Sequence, residues 1–231
     1  MIFGSSYSLQ DFVPFTADIY FRLLERMGET YWPLHLITIV LGMVALWLVL
    51  KHRLRLACVL IAPVWLFVAV AFFMRLYAEL NWAGGYIAFA FLTESALLLF
   101  LALTGIGLDD RSAKSQASFV GMFIALAGLI GLPFMGLLSY GSGLRAEVFG
   151  IHADPTSMTT LGLAIMISRG WLLWCISLIP ALWLLYSGLT LWALGAPSAK
   201  LLLVVLFIAL TGLFWKQLEL SMLKHESHDQ N

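Results

Sequence analysis

The sequence predicts an all-α integral membrane protein, a helical bundle of about seven transmembrane helices preceded by an interfacial amphipathic helix. Of the 231 residues, 61% are hydrophobic and 11% are charged, whereas soluble domains carry about 25% charged residues. The apolar residues fall into blocks of about 20, the helix length that crosses a hydrocarbon core of ~30 Å. Basic and acidic residues number 13 each, so no basic surface indicates nucleic-acid binding.

We expect three segments: a surface helix within residues 1–30, a seven-helix transmembrane domain at 31–216 and a polar cytoplasmic tail at 217–231. After Thr16, apolar residues recur at helical spacing and charged residues occupy the opposite face. The apolar positions are Ile19, Tyr20, Leu23, Leu24 and Met27. A helix of this kind lies along the membrane surface or covers the mouth of the bundle.

Seven apolar blocks follow, at about 31–50, 54–74, 85–108, 118–140, 155–168, 171–194 and 199–215. The fifth block has 14 residues and would make about 21 Å of helix, too short to cross the membrane unaided. Either the bilayer thins around it or the segment is re-entrant. Six spans plus a re-entrant half-helix are therefore the alternative to seven spans.

The distribution of lysine and arginine predicts the orientation of the chain in the membrane. With the N-terminus outside, eight of these residues fall on the inner side and five on the outer side. The cluster Lys51-His-Arg-Leu-Arg55, between the first two spans, contributes most to this asymmetry. Because positive charge is retained on the cytoplasmic side, we expect the N-terminus outside and the C-terminus in the cytoplasm.

Glu94 is the strongest candidate for a functional side chain, because ionisable groups within spans are costly and tend to serve a function. It lies ten residues into the third block, about 15 Å deep and near the midplane of the bilayer. One hypothesis is a proton- or cation-coupled carboxylate. The other is a neutral glutamic acid, favoured by burial, that is hydrogen-bonded to a neighbouring helix.

Two further candidates lie near the predicted outer side. His35 lies four residues into the first span, about 6 Å deep. It would be a ligand or proton relay, or a histidine hydrogen-bonded near the headgroups. Arg75 lies at the outer end of the second span, four residues before Glu79. It would contribute to a solute site or form a surface pair with Glu79 on one helix face.

The most polar stretch of the hydrophobic region is "FGIHADPTSMTTLG", at 149–162. Asp154 followed by Pro155 predicts a helix start, with an acidic N-cap and proline in the first turn. His152 and four hydroxyls crowd the same helix entrance, those of Thr156, Ser157, Thr159 and Thr160. They would either cap the helix and bond to neighbouring helices, or receive an anionic or polar solute at the positive end of the helix dipole.

We expect no enzyme activity, no cofactor and no metal site. The sequence contains no H-E-x-x-H, G-x-S-x-G or Walker A motif. A retinal protein needs a lysine deep within a span. Lys200 and Lys216 lie at the two ends of the last block, so neither has the position required to bind retinal. His35 is the single histidine within a span, which argues against a pair of haem ligands on facing helices.

Several stretches resemble a family of bacterial polytopic membrane proteins catalogued only as a domain of unknown function. They are "VPFTADIYFRLL", "YWPLHLITIVLGMVAL", "DPTSMTTLG" and "LIPALWLLYSGLTLWALGAP". The resemblance extends from about Phe12 to Val205 and implies a bacterial cytoplasmic (inner) membrane. It also implies that amides often occupy the positions of His35 and Glu94, so proton coupling there would not belong to the whole family. Members are sometimes labelled permeases, and the family brings no established activity.

The favoured functional hypothesis is a small-solute or ion permease with an outward-facing polar cavity, in which Glu94 couples transport to an ion. The alternative is a non-catalytic scaffold or accessory subunit of a membrane protein complex. A third hypothesis is a membrane enzyme that acts on a lipid or headgroup at the outer surface. The sequence contains none of the catalytic motifs named above to support it. The expected partners are the lipid bilayer and either another membrane protein or further copies of this chain.

Overall fold

The structure is a computed structural model that describes residues 13–109, 115–140 and 146–229. The first 12 residues of the predicted surface segment and the last two of the predicted tail lie outside the described residues. So do Arg111, Lys114 and Arg145, which enter the charge count above.

The described residues form eight helices. They are α1 (Ala17–Thr30), α2 (Trp32–Leu50), α3 (Leu54–Leu80), α4 (Gly84–Thr104), α5 (116–140), α6 (Ala153–Ile167), α7 (Trp171–Ala193) and α8 (Ser198–Asp229). Val68–Tyr77 in α3 and Ala127–Gly131 in α5 are π-helical. Six of the eight helices, all but α1 and α6, are long and apolar enough to cross a membrane. The all-helical architecture is therefore confirmed for the described residues, and the six helices indicate a multi-pass membrane protein.

Helix α1 is present where the apolar periodicity after Thr16 predicts it. Its buried face consists of Tyr20, Leu24, Met27 and Gly28, and it packs against α2 and the π-helical part of α3. Asp18, Arg22 and Arg26 are exposed on the opposite face. The amphipathic pattern is thus explained by packing on the bundle, and the location of α1 at a membrane surface stays a prediction.

The fifth apolar block forms α6, the central helix of the bundle. All 15 residues of α6 are buried, and α2, α3, α5, α7 and α8 pack around it. Its length of about 22 Å is less than the thickness of the hydrocarbon core. Other helices surround α6, so its polar side chains face protein. Asp154, Thr156 and Thr160 have hydrogen-bond partners, whereas the buried hydroxyls of Ser157 and Thr159 have none among the described residues.

The two ends of the bundle are named here by residues that lie there. At the His52 end, the α4–α5 loop is joined to the end of α6, since Asp109 N–H donates to Ile167 O (2.7 Å) and Arg169 N–H donates to Gly107 O (2.8 Å). At the Asn81 end, the Asn81 amide of the α3–α4 turn donates to Tyr186 Oη of α7 (3.1 Å). In the predicted orientation, the Asn81 end faces outward.

The last helix differs from the prediction in two respects. Helix α8 continues as far as Asp229, so most of the segment predicted as a separate polar tail at 217–231 is part of the last helix. Lys216, expected at the end of the last span, is buried and forms a 2.8 Å ion pair with Asp109 of the α4–α5 loop. The ammonium is retained inside because a buried charge is tolerated when it is paired.

Candidate functional site

Glu94 lies halfway along α4, a helix of 21 residues, and its side chain is fully buried. Among the described residues, neither of its carboxyl oxygens has a hydrogen-bond partner. It lies near Cys58 of α3, and the neighbouring Ser95 hydroxyl donates to Ala62 O (2.7 Å). A polar side chain buried without a partner costs about 1–3 kcal/mol, so this carboxyl group destabilises the fold that contains it.

An aromatic layer lies one helical turn from Glu94 on the side of the Asn81 end. We define it as Trp65 and Phe73 of α3, Phe91 of α4 and Trp183 of α7. The ring centroids of Phe73 and Trp183 are 4.9 Å apart, and those of Phe91 and Trp183 are 5.7 Å apart. Trp65 lies 4.4 Å from Phe91. Such packed rings exclude water, so the layer separates Glu94 from the polar groups beyond it.

Beyond the aromatic layer lies a buried polar cluster formed by α1, the α5–α6 segment, α6 and α7. Its members are the buried residues Tyr20, His152, Asp154 and Ser187 and the half-buried Glu147. Asp154 is its centre, because its carboxylate accepts hydrogen bonds from Trp183 Nε1 (2.7 Å) and Ser187 Oγ (2.8 Å). Tyr20 lies beside Ser187. The carboxylate therefore ties α6 to α7 in the interior of the bundle.

The carboxyl groups of Glu147 and Asp154 form a hydrogen-bonded pair. Burial, the nearby Asp154 charge and a hydrogen bond to Asp154 raise the pKa of Glu147 well above its usual range. Burial also raises the pKa of Asp154, opposed by the hydrogen bonds from Ser187, Trp183 and Glu147. Repulsion between two adjacent carboxylates thus favours the protonated form of Glu147, which can donate to the Asp154 carboxylate.

His152 joins this cluster to α1. Its Nδ1 accepts from Val148 N–H (3.1 Å), and its Nε2 lies 3.3 Å from Leu24 O. Because Nδ1 accepts, the ring proton lies on Nε2, which donates to the carbonyl, and the imidazole is neutral. The ring of His35, also buried, lies 6.3 Å from that of His152. His35 Nε2 has no hydrogen-bond partner within the described ranges.

The prediction of Asp154 as the N-cap of this helix is wrong, because the N-cap lies two residues earlier. Helix α6 begins at Ala153, with His152 as its N-cap, and the Asp154 side chain turns to α7 instead of capping the helix. The hydroxyl of Thr156 donates to His152 O (2.6 Å) and accepts from Gly150 N–H (2.9 Å). The hydroxyl of Thr160 accepts from Trp65 Nε1 (2.8 Å). The interactions of both hydroxyls are thus bonds within the bundle.

The structure brings together some of the residues predicted to form the site and separates others. His35, His152, Asp154 and Thr156 lie in or next to the buried polar cluster. Glu94 lies beyond the aromatic layer, and Thr160 lies at that layer through its bond to Trp65. Arg75 is exposed, and no ion pair joins it to Glu79 in the described structure.

Residues 17–224 match the sequence model of a family of unknown function, DUF6064. The chain belongs to this family. The assignment confirms the resemblance to a domain of unknown function, and it covers all of the buried polar cluster, the aromatic layer and Glu94. No curated protein and no solved structure matches the chain.

In this family member, the most important partners of the site are residues that the sequence alone did not single out. Glu147 lies just before the α5–α6 turn, and Trp183 and Ser187 lie in an otherwise apolar span. Spacing could have related Trp183 to Ser187, since residues four apart share a helix face. Within the described residues, no group of three or more His, Cys, Asp or Glu side chains could hold a metal ion.

The neutral state of His152 predicts how its contribution to stability depends on pH. Burial, the largest cause, lowers the pKa of His152 to about 4, compared with about 6.5 in a free peptide. A lowered pKa in the folded state gives stability that is present above about pH 6.5 and is lost as the pH falls towards 4. The difference between the two pKa values of His152 corresponds to about 3 kcal/mol of unfolding free energy.

The measurement is the thermal unfolding midpoint in detergent, from pH 7 to pH 4.5, of the wild type and His152→Gln. We expect the advantage of the wild type over the variant to shrink steadily as the pH falls. The Glu147–Asp154 pair acts in the opposite sense, because raised pKa values give stability that is lost as the pH rises, but it is present in both proteins. Parallel curves for the two proteins would contradict the prediction.

Proposed function

We propose that this chain is a proton-conducting permease of a bacterial cytoplasmic membrane, in which Glu94 carries the proton across the middle of the bundle. The observation that supports it most directly is the isolated carboxyl of Glu94, fully buried halfway along an apolar span and without a hydrogen-bond partner among the described residues. Such a group is costly to the fold. A transport role explains why a costly carboxyl occupies that position.

The buried polar cluster supplies a second proton-exchanging group at the Asn81 end. A hydrogen bond joins the carboxyl groups of Glu147 and Asp154, and in the proposal this pair releases and takes up a proton while Asp154 keeps its bonds to α7. The aromatic layer, including Trp183 in direct contact with Asp154, separates this pair from Glu94. In the proposal, small movements of these rings control proton passage between the two carboxyl sites.

The proton is favoured over a larger solute because two of the four hydroxyls predicted to receive a solute, those of Thr156 and Thr160, already have partners. Thr156 bonds to His152 and Gly150, and Thr160 bonds to Trp65. A buried carboxyl can exchange a proton without a cavity large enough for a hydrated ion. Arg75, exposed on α3, has no role in this path, whereas His35 remains a relay candidate because its Nε2 lacks a bond among the described residues.

The test is proton flux into vesicles that contain the purified protein and a trapped pH-sensitive dye. An inward proton gradient is applied with valinomycin and K⁺ present, so that charge movement does not limit the rate. We expect Glu94→Gln to reduce the rate at least tenfold, to that of protein-free vesicles, because glutamine cannot carry the proton. Glu79→Gln, at an exposed position of α3, is the matched control and should retain the wild-type rate.

Size-exclusion profiles establish that both variants are folded before flux is compared. A wild-type rate equal to that of empty vesicles would overturn the proposal and favour the accessory-subunit hypothesis. Equal rates for the wild type and folded Glu94→Gln would show that protons pass without Glu94, and would overturn its assigned role.

A further inference from the structure

A basic groove lies at the His52 end, where the α2–α3 turn meets the end of α4. It has a volume of about 490 Å³, within the range of small-molecule sites. The described residues that line it include three basic side chains and no acidic one. They are His52, Arg53, Leu54, Arg55, Leu56, Gly105 and Leu108. The groove is distant from Glu94 and the buried polar cluster, and its role does not depend on the proposed function.

The three basic side chains differ in how they are held. Arg55 is fixed across the groove because its Nη2 donates to Thr104 O at the end of α4 (3.0 Å). Gly105 lies directly against the Arg55 guanidinium, where any side chain would collide with it. The side chain of Arg53 is exposed and has no hydrogen bond or ion pair with the described residues. The Arg55 guanidinium therefore has a fixed position in the groove, whereas the Arg53 guanidinium is available to bind an anion.

The position of the groove relative to the spans indicates the source of that anion. The groove is at the ends of two membrane-crossing helices, the level at which lipid headgroups lie. Leu56, which lines it, is 51% exposed, and Ile106 beside it is 54% exposed. These side chains offer apolar surface to an acyl chain next to the basic groups. In the predicted orientation, the groove faces the cytoplasmic leaflet, whose anionic lipids attract basic residues.

From this juxtaposition, we infer that the groove lined by His52, Arg53 and Arg55 binds the phosphate of an anionic phospholipid. Arg53 would bind the phosphate oxygens through its planar guanidinium, while Arg55 remains on the Thr104 carbonyl and adds its charge. The lipid's acyl chains would lie along Leu56 and Ile106. A zwitterionic lipid, whose ammonium group meets the same positive charges, would bind less tightly.

The test is native mass spectrometry of the full chain in detergent, with equimolar phosphatidylglycerol and phosphatidylcholine of identical acyl chains. We expect the wild type to retain the anionic lipid in preference. Arg53→Gln should lower the occupancy of phosphatidylglycerol about fivefold, from the loss of one charge near the headgroup. Lys51→Gln removes one positive charge next to the same turn, but Lys51 does not line the groove. The phosphatidylglycerol occupancy of this variant should therefore differ from that of the wild type by less than twofold.

Equal losses in Arg53→Gln and Lys51→Gln would overturn the inference, because they would indicate diffuse attraction to a basic surface. Equal binding of the two lipids by the wild type would also overturn it, and that comparison needs no variant. A further arm adds sodium phosphate in millimolar excess. Displacement of phosphatidylglycerol by inorganic phosphate would assign the groove to a free anion, whereas retention of the lipid supports the membrane as the source.

Discussion

Gly162→Ala is expected to destabilise the bundle by roughly 3 kcal/mol or more, a cost at the upper end for overpacking of a close interface. Gly162 of α6 faces α5, and a methyl group there would lie 2.5 Å from Ala125 N and 3.0 Å from Ala125 Cα, and closer still to Gly121 O. These are backbone atoms of a packed helix, so no side-chain rotation relieves the collision. Small residues at this crossing allow two helix backbones to touch.

The measurement is the thermal unfolding midpoint in detergent, with circular dichroism to follow helix content. Gly85→Ala is the matched control, because a methyl group at Gly85 in α4 would meet nothing within 4 Å. An alanine normally stabilises a helix by up to about 1 kcal/mol relative to glycine, so the control should be neutral or slightly more stable. Equal midpoints for the two variants would refute the close approach of α5 and α6.

Asp154→Ala is expected to cost about 3 kcal/mol. It removes the acceptor of the Trp183 and Ser187 bonds and the neighbour to which Glu147 donates. Hydrogen bonds to a charged group contribute about 1.5–3 kcal/mol, and a buried donor left without an acceptor is penalised. Asp154→Asn keeps one acceptor oxygen, so its loss should be smaller. Asp18→Ala, at an exposed position of α1, should change stability by less than about 0.5 kcal/mol.

A double-mutant cycle separates the interaction between Asp154 and Trp183 from the other effects of each substitution on stability. Trp183→Phe keeps an aromatic ring and removes the indole N–H that Asp154 accepts. We expect the effects of Asp154→Ala and Trp183→Phe on the unfolding free energy to be non-additive by about 1–3 kcal/mol, as for directly bonded residues. Additive effects would mean that the 2.7 Å bond contributes nothing to the stability of the bundle.

The depth of Glu94 was predictable because its position within an apolar block defines its distance from the block's ends. The lack of a hydrogen-bond partner for Glu94 was not predictable, because a bond to a neighbouring helix depends on which helix faces the carboxyl group. The hydroxyls at 156 and 160 show the same limit. Their presence near a helix start was visible, whereas their use in bonds to Gly150 and Trp65 required the packing of α6 to be known.

The class of the protein is a consequence of composition and length. A chain with 61% hydrophobic residues in blocks of span length adopts helices in lipid, because helices satisfy the backbone hydrogen bonds within each block. Those properties are local and can be read from the order of residues. The central position of α6, the Glu147–Asp154 pair and the Lys216–Asp109 ion pair, whose residues lie 107 positions apart, depend on contacts between distant segments. Only the tertiary structure decides them, because a buried charge or hydroxyl is stabilised by whichever partner the packing of helices brings within bonding distance.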